Sequence, residues 1–335
     1  MKADLPARLA AALGDRYRLE MRVDGAPALI GEGGMATVFL AEDPRHDRWV
    51  AIKVLKPGVA TTIGAERFLR EIHIAAQLHH PHILGLIDSG QADGLLYYVM
   101  PYVSGESLRE RIERDGALPI PEAVRLIREV ADALARAHKA GVIHRDIKPE
   151  NVLIEERHAL VADFGIAKAL SEATDSAVQS SSTAGLTIGT PAYMAPEQAA
   201  GDPSIDHRAD IYALGIVAYE MLTGDVPFTA PTPQGMLAAQ VSVEPAKLRT
   251  RRLEVPPMLE ALVMKCLIKD PAGRFQRADD ILIALEAMGT PSLPGFGGAP
   301  PAPVPRPDAS RALRLALIIG GALLAIALLV ALLKR

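Results

Sequence analysis

The sequence has little cysteine and no excess of positive charge. Cysteine occurs once in 335 residues, as Cys266. No disulfide can therefore form within the chain, and a reducing compartment fits. Leu262, Val263 and Leu267 surround that thiol, so it reads as a small apolar core residue; a reactive thiol is the other reading, with nothing nearby to support it. The formal net charge is −4 and is unevenly spread. Arg306, Arg311, Arg314, Lys334 and Arg335 face the single Asp308, a balance of +4 that leaves residues 1–305 at −8. An acidic body argues against nucleic acid as the main partner, because such binding rests on neutralising phosphates with Lys and Arg. A secretory signal is missing as well. The Ala/Leu-rich run of Met1–Gly14 is short and broken by Asp4, Pro6 and Arg8. The expectation over 1–16 is a short amphipathic leader helix.

Charge is also absent from Leu315–Leu333, 19 residues without an ionisable side chain. As a helix this run spans roughly 28 Å, close to the hydrocarbon thickness of a bilayer. A buried core helix is the alternative, but such helices rarely go so long without a polar residue. Ahead of it, Thr290–Pro307 holds seven prolines among several glycines and reads as a semi-extended tether. The expectation is a linker over 289–314 and a transmembrane helix over 315–333. Basic residues flank both ends of the span, so the positive-inside rule is nearly balanced. Gly321 and Ala325 form a small-xxx-small pair that would support association into a homodimer.

Motifs occupy the body of the chain. Ile30-Gly31-Glu32-Gly33-Gly34-Met35-Ala36-Thr37-Val38 is glycine-rich, and in isolation a plain hairpin turn accounts for it equally well. Twenty residues after Gly33, Lys53 sits in the β-rich run Trp49–Val54. Strand alternation puts Lys53 on one face with Ala51 and Leu55, where a cation is costly unless paired. Two partners suggest themselves: nucleotide phosphates, and a carboxylate from the helix expected over Ala65–Leu78. Glu71 lies within that helix's apolar stripe of Phe68, Ile72, Ala75 and Ala76. Further on, His144-Arg145-Asp146-Ile147-Lys148-Pro149-Glu150-Asn151 sets a carboxylate, a cation and an amide close together, and Asp163-Phe164-Gly165 follows. A polar surface turn is the bland reading of such a stretch.

Taken together, these motifs resemble protein kinases. His144-Arg145-Asp146 with Asn151 is similar to the H-R-D-L-x-x-x-N loop, Gly31/Gly33 to the Gly-rich loop with Ala36 at the third glycine position, and Val50-Ala51-Ile52-Lys53 to V-A-I-K. Asp163-Phe164-Gly165 and Ala195-Pro196-Glu197 are similar to D-F-G and A-P-E. Lys-Pro-Glu-Asn and Gly189-Thr190-Pro191 resemble serine/threonine kinases, and Gly-Gly-Met-Ala the bacterial, eukaryotic-like (Hanks-type) branch. The resemblance covers about residues 17–288. It implies an α+β, two-lobed protein kinase fold: a β-rich N-lobe (17–103) with its helix C, then a mostly helical C-lobe (104–288).

What the resemblance implies for the site is specific. Asp146 would take the hydroxyl proton, with Lys148 beside the transferring phosphate; Asn151 and Asp163 would hold Mg²⁺, with Mn²⁺ as an alternative. Lys53 would pair with Glu71. ATP would lie against Ile30, Gly31, Glu32, Gly33, Gly34, Met35, Ala36, Val38, Ala51 and Leu153. Pro101 would offer its carbonyl to adenine and Val103 its N–H. Thr183, with Ser182 and Thr187 behind it, is the candidate for autophosphorylation, paired through Arg145. Asp210 would anchor the backbone around His144 and Arg145, although a helix-start carboxylate favoured by the dipole reads the same way. Arg274 would pair with Glu197. The expected activity is transfer of the γ-phosphoryl group of ATP to protein Ser/Thr hydroxyls, cytoplasmic and anchored in the inner membrane by the C-terminus. A membrane-tethered pseudokinase scaffold is the alternative. A small-molecule phosphotransferase accounts poorly for the hydroxyl-rich 165–195 stretch.

Overall fold

A computed structural model describes residues 5–164 and 191–289. The linker, the apolar run 315–333 and the candidates Ser182, Thr183 and Thr187 lie outside the described residues. Among those described, no helix is long and apolar enough to cross a membrane.

The N-terminal part is an antiparallel sheet. Its strands are β1 (Arg18–Leu19), β2 (Leu29–Glu32), β3 (Ala36–Asp43), β4 (Arg48–Leu55), β5 (Asp88–Ala92) and β6 (Leu95–Pro101), in the order β1-β3-β4-β6-β5, with β2 also on β3. Strand alternation divides its side chains between two cores. One face carries Ala51, Leu55, Tyr98 and Met100, packed with Val59, Ala60 and Ile63 of α2 (Pro57–Ile63) and Phe68 and Ile72 of α3 (Ala65–Ala75). The other carries Val50, Ile52, Val54, Tyr97 and Val99, covered by Leu9 and Leu13 of α1 (Leu5–Leu13). The leader helix is thus a structural lid on the outer sheet face. Arg8 donates to Asp93 Oδ2 (2.5 Å) and Arg16 to Asp88 (2.9 Å).

Several boundaries differ from expectation. The first strand is only Arg18–Leu19, because Arg22–Ala26 closes a turn: Arg22 N–H donates to Ala26 O (2.7 Å) and Gly25 takes φ +77°. Across that turn Met21 bridges Pro27. Helix α3 stops at Ala75 rather than Leu78. The seven-residue α2, with Pro57 at its first turn, was not foreseen.

The C-terminal part is mainly helical. It contains α4 (Leu108–Asp115), α5 (Ile120–Lys139), α6 (Pro196–Ala199), α7 (Arg208–Thr223), α8 (Pro233–Ser242), α9 (Leu248–Arg251), α10 (Pro257–Cys266) and α11 (Ala278–Gly289). Pro119 precedes α5, so Leu118 stays outside the helix and its N–H bonds Met221 O (2.7 Å). Every residue of α7 from Ala209 to Leu222 is buried, the mark of a helix surrounded by others. A Cβ at Gly215 would stand 2.7 Å from Cys266 Cβ; glycine is what lets α10 close on α7. Cys266 is accordingly a core residue, its thiol pushed up to about 12 by burial. A small antiparallel sheet, β7 (Glu106–Ser107), β8 (Val152–Glu155) and β9 (His158–Val161), frames the polar loop between α5 and β8.

Candidate active site

The polar loop is held from below. Asp210, in the first turn of α7 and 1% exposed, accepts from the N–H of His144 (2.8 Å) and of Arg145 (2.7 Å). Those two bonds secure an unusual backbone, since Arg145 has φ +68°, a conformation that costs a non-glycine residue about 1–3 kcal/mol. His138 Nε2 lies 2.8 Å from the same carboxylate. Burial alone would raise the Asp210 carboxyl, but His138 and the His144 N–H hold it below its ordinary value. The anchor and the helix-start readings both hold. Gln198, at the start of α6, adds a bond from Nε2 to Arg145 O (3.0 Å).

From that base the loop presents its chemistry as one cluster. Asp146 Oδ2 accepts from Lys148 Nζ (2.7 Å) and Asn151 Nδ2 (3.1 Å), and Asn151 Nδ2 also donates to Asp146 O (2.7 Å). The Asn151 amide nitrogen thus turns back onto Asp146, which leaves its carbonyl oxygen as the acceptor this side chain offers. The loop is tied to residues 162–164 by Ala162 N–H on Asn151 O (2.9 Å) and His144 Nε2 against Ala162 O (2.8 Å). The Phe164 ring stands edge-on to His144 at 4.7 Å. Asp163, between them, also has φ +68°.

Asp163 is where the two halves of the chain meet. Lys53, reaching from β4, donates to Asp163 Oδ2, and Tyr98 of β6 donates to Oδ1 at 2.6 Å. Burial works to raise the Asp163 carboxyl, but the Lys53 charge, the Lys53 bond and the Tyr98 bond together hold it below the usual range. Tyr98 moves the opposite way: burial and the adjacent carboxylate push its phenol well above 10.

One pairing departs from expectation. Glu71 is buried on α3, as its place in the apolar stripe predicts, yet Lys53 makes its ion pair with Asp163 rather than with Glu71. Glu71 Oε1 lies 3.6 Å from Arg70 Nε. An ammonium has one compact charge, and here the Asp163 carboxylate takes it.

The remaining predicted residues lie on or beside the strands of the two sheets. Ile30, Gly31 and Glu32 are on β2, Gly33, Gly34 and Met35 in its turn, and Ala36 and Val38 on β3. Gly33 N–H donates to Ala36 O (3.0 Å), closing the turn, while a Cβ on Gly34 would meet nothing within 4 Å. Ala51 is buried opposite Met100, Pro101 ends β6 exposed, and Val38, Val103 and Leu153 stay half-buried. Tyr98 was missed from the sequence, as was Gln240 of α8, whose buried amide donates to Pro191 O (3.2 Å) and Ala192 O (2.6 Å). A separate cavity of about 860 Å³ opens between Ser104 and Arg157. Two of its charges pair with one another, Arg111 and Glu122 (3.3 Å), and none of the predicted site residues lines it.

Among the described residues, no group of three or more His, Cys, Asp or Glu could hold a metal alone. One carboxylate, Asp163, and one amide, Asn151, are what the site offers. That donor set fits Mg²⁺, which typically takes one or two protein oxygens and completes its shell with phosphate and water.

The comparisons with known proteins agree with this geometry. Residues 26–284 match the family model described as Protein kinase domain. The chain belongs to the protein kinase family. It is 38% identical over 315 residues to the serine/threonine-protein kinase pkn3 of Myxococcus xanthus, covering 88% of this chain and 55% of that protein. To the serine/threonine-protein kinase PknB of Mycolicibacterium smegmatis it is 39% identical over 310 residues, covering 91% of this chain and 47% of that one. For PknB of Mycobacterium leprae the figures are 39%, 84% and 45%. The chain thus spans about half the length of these relatives. The kinase fold, a β-sheet N-lobe and a helical C-lobe, is the architecture described above.

Proposed function

We propose that this chain is a bacterial Hanks-type serine/threonine protein kinase, transferring the γ-phosphoryl group of ATP to hydroxyls of protein substrates. The observation that supports the reading is a chain of contacts: Asp146 and Asn151 are bonded within one loop, Ala162 N–H ties Asn151 O to the segment that carries Asp163, and Lys53 from β4 ends on Asp163. The acceptor hydroxyl would attack the γ-phosphorus while its proton passes to Asp146, and ADP would leave. Lys148, 2.7 Å from Asp146 Oδ2, places a cation where the phosphoryl oxygens would pass. Lys53 would steady the phosphates of ATP. Asn151 and Asp163 would hold Mg²⁺, whose contribution when bound is to neutralise charge on the β- and γ-phosphates. We further infer autophosphorylation at Thr183, with Ser182 and Thr187 as second choices, the phosphate pairing with Arg145, and anchoring of the chain in the inner membrane by residues 315–333 with the kinase domain cytoplasmic, where ATP is.

The test is transfer of ³²P from ATP to a general acceptor protein by wild type and by Asp146→Asn. The expected result is incorporation by wild type and a drop of about 10²–10⁴-fold in the variant, the range for loss of a general base, with nucleotide affinity retained. Nucleotide binding without transfer by wild type would make the chain a pseudokinase scaffold instead.

A further inference from the structure

Tyr98 has a place in this site that neither the motifs nor the chemistry above assign. Lys53 and Tyr98 are direct cross-strand partners in the β4–β6 register, so their side chains leave the sheet side by side on the face that packs against α3. Both end on the same carboxylate, the ammonium on Oδ2 and the phenol on Oδ1. Tyr98 is fully buried, and its ring lies 6.4 Å from that of Phe68 on α3. A buried hydroxyl needs a partner, and Asp163 is the partner it has.

The two donors are not equivalent. A divalent cation at Asp163 repels an ammonium on the same carboxylate and tolerates a neutral phenol. A metal held there would compete with Lys53 for Oδ2 and would leave the Tyr98 bond to Oδ1 in place. We propose that Tyr98 is a positioning residue: its hydroxyl holds Asp163 by Oδ1 and so presents Oδ2 to the metal. This rests on the kinase reading above. It assigns to a strand residue the work usual for hydrogen bonds that orient ligating carboxylates, whose loss typically weakens metal binding 10–100-fold. Of the two bonds to Asp163, the one from Tyr98 is then the one that persists when metal is bound.

The experiment measures Mn²⁺ affinity by electron paramagnetic resonance, with a non-hydrolysable ATP analogue, for wild type, Tyr98→Phe and Tyr97→Phe. Tyr98→Phe keeps the ring contact with Phe68 and removes only the hydroxyl. Tyr97→Phe is the control, since its hydroxyl meets Arg16 on the opposite sheet face (2.7 Å). Expected is Mn²⁺ binding about 10–100-fold weaker in Tyr98→Phe and unchanged in Tyr97→Phe. The kcat of Tyr98→Phe should fall at low metal and recover as metal is raised. Unchanged Mn²⁺ affinity in Tyr98→Phe overturns the proposal, and tighter binding overturns it too, making the hydroxyl a restraint on Asp163. If wild type binds no metal–nucleotide, the kinase reading fails rather than this one. A crystal structure of the wild-type chain with Mg²⁺ and the same analogue reads the bond without any variant. Tyr98 Oη should remain within about 3.0 Å of Asp163 Oδ1, and a separation beyond hydrogen-bond reach ends the proposal.

Discussion

Arg274 grips Glu197 with both prongs of its guanidinium, Nη1 to Oε1 at 2.7 Å and Nη2 to Oε2 at 2.8 Å. The same guanidinium donates to the carbonyls of Ile268 (2.7 Å), Lys269 (2.7 Å) and Arg208 (3.0 Å), and its side chain is wholly buried. One arginine thus fastens α6, at the end of the 165–195 stretch, to the start of α7 and to the loop after α10. Removing one partner of such a pair leaves a buried charge uncompensated, at a cost of about 3–5 kcal/mol. Arg274→Ala should lower Tm by roughly 6–20 °C for a domain of this size, read by calorimetry. Arg274→Lys should recover little of that loss, because an ammonium cannot reproduce the fork.

Acid should loosen the loop that Asp210 holds. Asp210 and Asp163 both sit below their ordinary carboxylate values when folded. Each therefore contributes stability that is fully present above the unfolded value of about 3.9 and is lost as the pH falls through the lower folded value. Asp210→Asn should be less stable than wild type at pH 7, since the amide's NH₂ faces one of the two backbone donors it replaces a bond to. Urea midpoints followed from pH 7 to 3 should show the gap between the two proteins narrowing below about pH 4. A gap that stays constant to pH 3 would show that this carboxylate is not what the acid sensitivity reports.

The legibility of these features in the sequence follows from their range. Lys53 could be placed on the inner sheet face because alternation is a local property, and Ala51 and Leu55 do share its core. Asp210 and Arg274 were found through motif resemblance, which carries long-range partners with it. Tyr98 had no such signal. Leu95–Met100 is buried at every position, so no polar–apolar alternation shows which face each residue takes. Helix α2 is two turns long, too short for a period to emerge, although Pro57 and Gly64 mark its ends. The docking of α1 on the outer sheet face depends on contacts some 85 residues apart, such as Arg8–Asp93. For Lys53 the sequence suggested nucleotide phosphates and Glu71; that Asp163 takes the ammonium depends on how the 162–164 segment, about 110 residues further on, is brought to β4.

Partition between membrane and soluble fractions should separate the two parts of the chain. Residues 315–333 carry no charge over a bilayer's thickness, whereas the described residues hold no helix able to cross. The whole chain is expected in the membrane pellet and to resist extraction by alkaline carbonate. A chain ending at residue 289 is expected in the supernatant. Release of the whole chain by salt alone would mean that Arg311, Arg314, Lys334 and Arg335 attach it electrostatically.

Gln240 offers a way to perturb acceptor binding apart from ATP binding. Its side chain is fully buried in α8, donates to Pro191 O and Ala192 O, and accepts from Tyr212 Oη (2.8 Å). Its own carbonyl accepts from Lys269 Nζ (2.8 Å). Segment 191–193 is further pinned by Tyr193 Oη on Glu220 Oε2 (2.6 Å), beside Arg109. On the kinase reading we expect this segment, which ends the 165–195 stretch, to border the acceptor, and none of the bonds given for these groups involves Asp163. Gln240→Leu keeps comparable volume; Pro191 O retains the Met194 N–H (3.4 Å), but Ala192 O loses its Gln240 donor and Tyr212 Oη its acceptor, a loss of about 1–3 kcal/mol for each buried group left unsatisfied. The part of that loss that reaches the acceptor should raise KM for a protein substrate by roughly tenfold, as 1.4 kcal/mol corresponds to a factor of 10, while KM for ATP stays within about twofold. Steady-state kinetics with each substrate varied in turn checks it. Equal increases in both constants would place the effect in the fold as a whole, and an unchanged protein KM would detach Gln240 from acceptor binding.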